Sequence, residues 1–292
     1  PLLCSNLYYK SLVNYHPTLY KSTYIRNINS MVKVITLICY KGGVGRSTTT
    51  QNVGWKLAEL GHRVLLVDLD NQSNLSELIA KDYSGQVVEP KKSISTMLNA
   101  ENGLWSEYIV DTRHSNLQLL SSSWELGMTE RALYNDVSSN TILMDRLDGH
   151  TKEVYDYIIF DTTPDVMNKL THNALVMSDY YWYIQSSENK WSLDSKPAVD
   201  KIIRSIKKSL NKKLKPLPVL QTMFSSRNKV SHEIRKIAED LFEQGLMDTT
   251  IRNTTMINKS IANRQTIFEF DRRLDVAKDY HAATEELLKV LK

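Results

Sequence analysis

Apolar and polar positions along the chain alternate between two patterns. From Met31 onward, short continuous apolar runs are separated by stretches whose apolar residues recur every three or four positions. Val34–Cys39 is the first run, and it stops at a glycine-rich turn, Lys41–Gly45. Beyond the turn, Val53, Leu57 and Leu60 fall on one face of a helix that Gly61 closes. Val64–Val67 reads as the next buried strand and ends at Asp68. Further strands are expected at Leu117–Leu120, Tyr157–Phe160, Tyr180–Ile184 and Val219–Phe224. Helices are expected at Val199–Leu210, Ser231–Phe242 and Ala277–Leu291. Continuous apolar strands alternating with helices predict an α/β protein of three layers, a mostly parallel twisted sheet with helices on both faces.

No internal repeat or Pro/Gly-rich linker interrupts this pattern, so residues 31–292 are expected to form one domain. Residues 1–30 read differently. They carry tyrosines at 8, 9, 15, 20 and 24, three basic residues and no acid, without an amphipathic period. They are either a docking arm or sequence upstream of the domain. The second reading is favoured, because the domain pattern is complete without them.

Composition narrows the class. Hydrophobic residues make up 41% and charged residues 24%, an ordinary globular balance. No run approaches the roughly 18 apolar residues of a membrane-spanning helix, and the N-terminus lacks the order of a signal peptide. A cytoplasmic location is therefore expected. Two cysteines, Cys4 and Cys39, are too few for a disulfide framework or an intrachain zinc site. Cys39 reads as a small buried residue, Tyr180–Tyr183 as core, and His62, His114 and His172 as scattered, without metal-ligand spacing.

The chemistry concentrates at Lys41-Gly42-Gly43-Val44-Gly45-Arg46-Ser47-Thr48. Glycines let the backbone wrap closely, so that successive N–H groups point at phosphate oxygens, and the following helix adds the positive end of its dipole. A basic residue before a helix-starting hydroxyl residue reaches the β- and γ-phosphates, while the hydroxyl serves Mg2+. Arg46 and Ser47 hold those two places.

With Lys41 at its head, the pattern K-G-G-x-G-x-[ST] resembles the deviant Walker A motif of the ParA/MinD group of P-loop ATPases. In that group the first lysine reaches across a nucleotide-sandwich dimer to the other subunit's phosphates. The resemblance thus implies that Lys41 acts in trans, and that ATP and Mg2+ are the cofactors. Val64–Gln72 (VLLVDLDNQ) resembles the family's second motif, which implies that Asp70 positions or deprotonates the attacking water and that Asp68 supports the metal shell. Tyr155–Pro164 (YDYIIFDTTP) resembles its Walker B, so that Asp161 would hold a water on Mg2+. Ser187-Glu188 with Ser192-Leu193 resembles the loop after the next strand. Leu220–Phe224 resembles the strand beside the adenine, with Met223 packing there. Asp279-Tyr280 and Glu285–Leu288 resemble the family's last helix. The likeness runs from Met31 to Lys292 and is weakest between Tyr83 and Asp148. It departs at Arg46, where the family has lysine, and at Asn71, where it has proline. A proline near the base is also missing from Thr250–Asn253.

Charge is segregated. Between residues 199 and 236 stand Lys201, Arg204, Lys207, Lys208, Lys212, Lys213, Lys215, Arg227, Lys229, Arg235 and Lys236 against two acids, a local charge of +9 in a chain of net +4. Lys201, Arg204 and Lys208 share one helix face. Such an imbalance marks a surface for a polyanion, and the family resemblance makes nonspecific, backbone-dominated DNA binding the expectation.

The leading expectation is a ParA-type ATPase that dimerises with ATP, binds the nucleoid and positions a plasmid, chromosome or protein cargo. A ParB-like or cargo-adaptor partner would stimulate its hydrolysis. One alternative is a MinD-like ATPase on a membrane, which is disfavoured because the last helix lacks a terminal aromatic-basic extension. Another is a slow or nonhydrolysing nucleotide-switched DNA-binding scaffold, suggested by Arg46. An iron-protein reductase is disfavoured for want of suitably placed cysteines.

Overall fold

The apolar runs come together as neighbouring strands of one sheet. A computed structural model describes residues 31–39, 41–80, 92–134, 137–188, 190–194 and 196–292. The expected N-terminal extension, residues 1–30, lies outside them. The strands are β1 (Lys33–Ile38), β2 (Val64–Asp68), β3 (Ile109–Asp111), β4 (Leu117–Leu120), β5 (Tyr157–Asp161), β6 (Tyr180–Ser186), β7 (Lys215–Pro216), β8 (Val219–Phe224) and β9 (Leu246–Arg252). Their order is β3-β4-β2-β5-β1-β6-β8-β9, with β7 beside β6. Among these strands only the β3–β4 pair is antiparallel; the other pairs are parallel.

Parallel strands must be covered on both faces, and their residues divide accordingly. Ile35 and Leu37 of β1, Leu66 of β2 and Ile159 of β5 enter a core shared with Val53 and Leu57 of α1 (Arg46–Glu59) and with Tyr280 of the helix Asp275–Val290. Val34, Leu65, Val67, Ile158 and Phe160 point the other way, into a second core closed by Leu126 and Leu170. A third cluster covers β6 and β8 with Val199, Ile203 and Ile206 of the helix Lys196–Ser209, and with Ile234 and Ala238 of the helix Lys229–Leu241. Successive side chains thus enter opposite cores with period two, as a pleated strand imposes.

Every expected strand is present. Three others were not expected: β3, β7 and the edge strand β9, whose sequence LMDTTIR carries few apolar residues. Leu60 corrects the expected helix face. The helix stops at Glu59 and Leu60 is its C-cap, 42% exposed, so Leu57 takes the core position. Gly61 does close the helix. Its φ is 92°, and the N–H groups of Gly61 and His62 donate to the Ala58 and Leu57 carbonyls. No helix among the described residues is long and apolar enough to cross a membrane.

Candidate nucleotide site at the carboxyl ends of the central strands

The central strands β1, β2 and β5 end side by side, which is where open α/β sheets build their ligand sites. β1 runs into the glycine loop. Gly43 and Gly45 have φ values of 77° and 81°, a left-handed backbone that residues with a Cβ adopt at a cost. Gly45 caps α1, and the Gly45 carbonyl accepts the Thr49 N–H at 2.8 Å. The N–H groups of the first helical turn have no intrahelical acceptor and are available to an anion. From behind, the Thr222 hydroxyl at the end of β8 donates to the Val44 carbonyl at 2.7 Å and pins the loop.

The loop borders a cavity of about 750 Å3, lined by Lys41 to Thr48, by Asp70 to Gln72, by Thr163 to Asp165 and by Arg264 of the segment after the helix Thr255–Ala262. Lys41 is exposed on its wall. Met223 does not line this cavity. It follows Thr222 on the far side of the loop, with φ 53°, and its sulfur accepts from the Ser186 hydroxyl at 3.6 Å.

Three carboxylates and one guanidinium meet beneath the loop. Asp68 and Asp161 are register partners at the ends of β2 and β5, and both are fully buried. Asp68, expected to support the metal shell, has both carboxylate oxygens engaged by neighbouring protein groups. One of its oxygens accepts the Asp70 N–H at 3.1 Å, and the other accepts the Ser76 N–H and hydroxyl at 2.9 and 2.7 Å. Ser122 donates its hydroxyl to the Asp70 carbonyl at 2.6 Å. Asp70 is therefore held from both sides while its side chain borders the cavity. Burial, with the Asp161 charge adding to it, pushes the Asp68 carboxyl up to about 7.

Arg46 was expected to reach phosphates. Instead its guanidinium is turned beneath the loop, 6% exposed. Nε donates to Asp161 Oδ1 at 2.9 Å, Nη1 to Cys39 Sγ at 2.9 Å and Nη2 to Asp70 Oδ2 at 3.5 Å. An arginine is long enough to fork across partners at the ends of three strands, which a lysine cannot do. Burial opposes its charge, yet Cys39, Asp161 and Asp70 together raise its pKa above the ordinary arginine value. Burial likewise raises the Cys39 thiol, and Arg46 offsets part of that. Arg46 lines the cavity wall whereas Asp161 does not.

These residues suit a hydrated divalent cation and a phosphate chain. Asp161 Oδ2 is buried without a hydrogen-bond partner among the described residues, and Ser47 at the start of α1 favours the charged form of the same carboxyl. A hard cation takes such a pairing of hydroxyl and carboxylate, partly through water. Burial pushes the Asp161 carboxyl up, against Arg46 and Ser47, which favour its charged form. Thr50, one turn beyond Ser47, donates to Asp161 Oδ1 at 3.4 Å. The sequence reading missed Thr50, Ser76, Ser122 and Arg264. Only Thr50 carries a sequence signal, its i+3 spacing from Ser47. Arg264 has a φ of 52°, a left-handed backbone uncommon for a residue with a Cβ.

The basic segment folds into the helices Lys196–Ser209 and Lys229–Leu241, which cover the same core cluster, so their outer faces lie on one side of the sheet. Lys201, Arg204, Lys208, Lys212, Lys213, Arg227, Lys229 and Lys236 are exposed, and Lys207 is half-buried at the edge. None of these nine has an ion pair among the described residues. Arg235 is a correction. It turns inward, donating to Gln221 Oε1 at 3.0 Å and to the Met247 carbonyl at 3.2 Å, so it belongs to the scaffold and not to the outer face.

Residues 32–216 match a protein-family model described as an AAA domain. The sporulation initiation inhibitor protein Soj of Bacillus subtilis is 28% identical over 86% of this chain and 99% of its own. The chromosome partitioning protein ParA of Myxococcus xanthus is 27% identical, covering 88% of each. Among solved structures, a plasmid partition protein of Borrelia burgdorferi bound to AMPPNP superposes with a TM-score of 0.71 at 26% identity, over 88% of this chain and 99% of that one. Cobyrinic acid a,c-diamide synthase of Mycobacterium smegmatis, with an ATP analogue and magnesium, gives 0.73 at 25%, over 89% and 96%. Family match, relatives and fold agree with the glycine loop on which the cavity is built: the chain belongs to this AAA-domain family as a P-loop ATPase of the ParA/MinD type, similar to the Soj and ParA partition proteins.

Proposed function

We propose that this chain binds ATP with Mg2+ in the cavity, forms a sandwich homodimer around the nucleotide, and hydrolyses it when a ParB-like or cargo-adaptor protein engages the dimer. The dimer binds nonspecific DNA on the nucleoid and thereby positions or segregates a plasmid, a chromosome or a protein cargo. The observation that carries this reading is Lys41, which stands exposed on the cavity wall at the head of a loop whose interior is already formed by backbone. A cation placed there is free to reach the phosphates of a facing subunit.

The residues divide the work. Backbone N–H groups from Gly42 to Thr48 hold the phosphates, while Ser47 and, through water, Asp161 hold Mg2+, which when bound screens phosphate charge. Asp70 orients or deprotonates the attacking water, and Asp68, Ser76 and Ser122 fix its backbone. Arg46 supplies charge during hydrolysis once it leaves the carboxylates. The relatives named Soj and ParA support partition over the diamide synthase chemistry of the other structural neighbour.

A MinD-like membrane role is weakened by the last helix, Asp275–Val290. Val276, Tyr280, Ala283 and Leu287 are buried against the sheet, so its apolar face is not offered to lipid. Light scattering and phosphate release, each with and without ATP, duplex DNA and anionic liposomes, test the proposal. ATP-dependent dimerisation with DNA binding is expected. Dimerisation indifferent to ATP, or binding to liposomes in place of DNA, would overturn it.

A further inference from the structure

The Arg46 guanidinium has one partner that neither a metal site nor a phosphate site requires, the Cys39 sulfur. Cys39 is the last residue before the segment that enters the glycine loop, 2% exposed, and lines the cavity. Its thiol donates to the Lys41 carbonyl at 3.3 Å while its sulfur accepts Arg46 Nη1 at 2.9 Å. The other two arms of the fork lie on Asp161 and Asp70. These three hydrogen bonds use three of the five guanidinium N–H groups and hold the group on the carboxylate side of the loop, at the wall of the cavity.

We propose that Cys39 is a positioning residue that competes with nucleotide phosphates for Arg46: its sulfur completes a buried three-armed seat for the guanidinium on the carboxylates, and a bound triphosphate has to draw Arg46 out of that seat. The inference rests on the reading of the cavity as an ATP site and concerns which residue tunes its affinity. Seated, Arg46 spends a donor on sulfur. Without the sulfur that N–H is left unpartnered in a nearly closed site, which penalises the seated arrangement. Reaching for phosphate, Arg46 makes no use of Cys39, and the thiol loses little, because a buried cysteine behaves as a small hydrophobe. Deleting the sulfur therefore destabilises one arrangement and spares the other, so binding should tighten. That sign is opposite to what damage to a loop residue produces.

The test is a titration of the full chain with a fluorescent ATP analogue, with and without Mg2+, alongside thermal melts. Cys39→Ala should lower the Kd roughly five- to tenfold, the effect of losing about one ordinary hydrogen bond, since sulfur is a weak acceptor. Cys39→Val, which keeps more of the volume and accepts nothing, should do the same if the smaller side chain proves unstable. Cys39→Ser offers an oxygen acceptor and should return the Kd to the wild-type value. In the Arg46→Lys background the alanine change should have no effect, since the fork is gone. An unchanged or weaker affinity in both Cys39→Ala and Cys39→Val overturns the proposal, as does equal tightening in the Arg46→Lys background. Failure of the wild type to bind the analogue would instead remove the ATP reading itself, and this inference with it.

Discussion

Replacing Arg204 and Lys208 together by glutamate tests whether the basic side of the molecule is a phosphate-binding face. Both side chains are exposed one helical turn apart, and neither has an ion pair among the described residues, so folding asks nothing of their charges. The helix keeps Val199, Ile203 and Ile206 in the core. Stability should therefore change by no more than about 0.5 kcal/mol. Each phosphate contact contributes about 0.9 to the slope of log affinity against log salt, and about the same in log units at roughly 0.1 M relative to 1 M. Losing two contacts lowers affinity roughly 60-fold, about 2.5 kcal/mol, and flattens the slope by about 1.8. Repulsion from the new carboxylates makes this a lower bound. Anisotropy with two unrelated labelled duplexes and a nonhydrolysable ATP analogue, between about 50 and 200 mM salt, reads both quantities. Arg235→Gln is the control. It breaks inward hydrogen bonds to Gln221 and Met247, so it should lower the melting temperature and leave the slope alone. An unchanged slope in the double variant, or a loss confined to one duplex sequence, refutes the reasoning.

Lys41→Ala should retain part of the monomer's nucleotide affinity and lose ATP-dependent dimerisation in light scattering. A variant that dimerises and turns over normally would remove Lys41 from the site. A Cβ on Gly54 would stand 2.7 Å from Leu66 Cδ2 across the α1–β2 contact, so Gly54→Val should cost about 1–3 kcal/mol in urea unfolding, and Leu66→Ala should relieve part of it. An additive pair would show that the crowding is not at Leu66. Burial alone would raise the Asp156 carboxyl, but the Arg63 hydrogen bonds and charge outweigh it and hold it below its ordinary value. The pair's contribution, about 1 kcal/mol, is then present above a pH of about 4 and lost as pH falls through the lowered value. Melting temperatures of wild type and Arg63→Ala should differ at pH 7 and converge in acid; a constant gap would argue against the pairing.

What the sequence determined by itself is whatever lies in a contiguous stretch. The glycine loop is legible because Gly43 and Gly45 meet a local backbone demand, a positive φ that other residues adopt at a cost. The strands at Val64, Tyr157 and Tyr180 are legible because burial on both faces leaves an unbroken apolar run, and the outer face of Lys196–Ser209 because its charges recur with the helical period. The tertiary structure alone decided where long polar side chains go. Arg46 is drawn beneath the loop by Asp161, 115 residues away, since a buried carboxylate is costly without a countercharge. Arg235 leaves its helix's charged face to satisfy Gln221 and the Met247 carbonyl, buried acceptors on β8 and β9. β9 itself shows no run of apolar residues; it is a strand because β8 offers an unpaired edge and the helix Asp275–Val290 packs beside it. Arg264 lines the cavity wall in a segment that Ile267, three residues on, ties to α1 by donating its N–H to Asn52, a contact spanning 215 residues that no local pattern encodes.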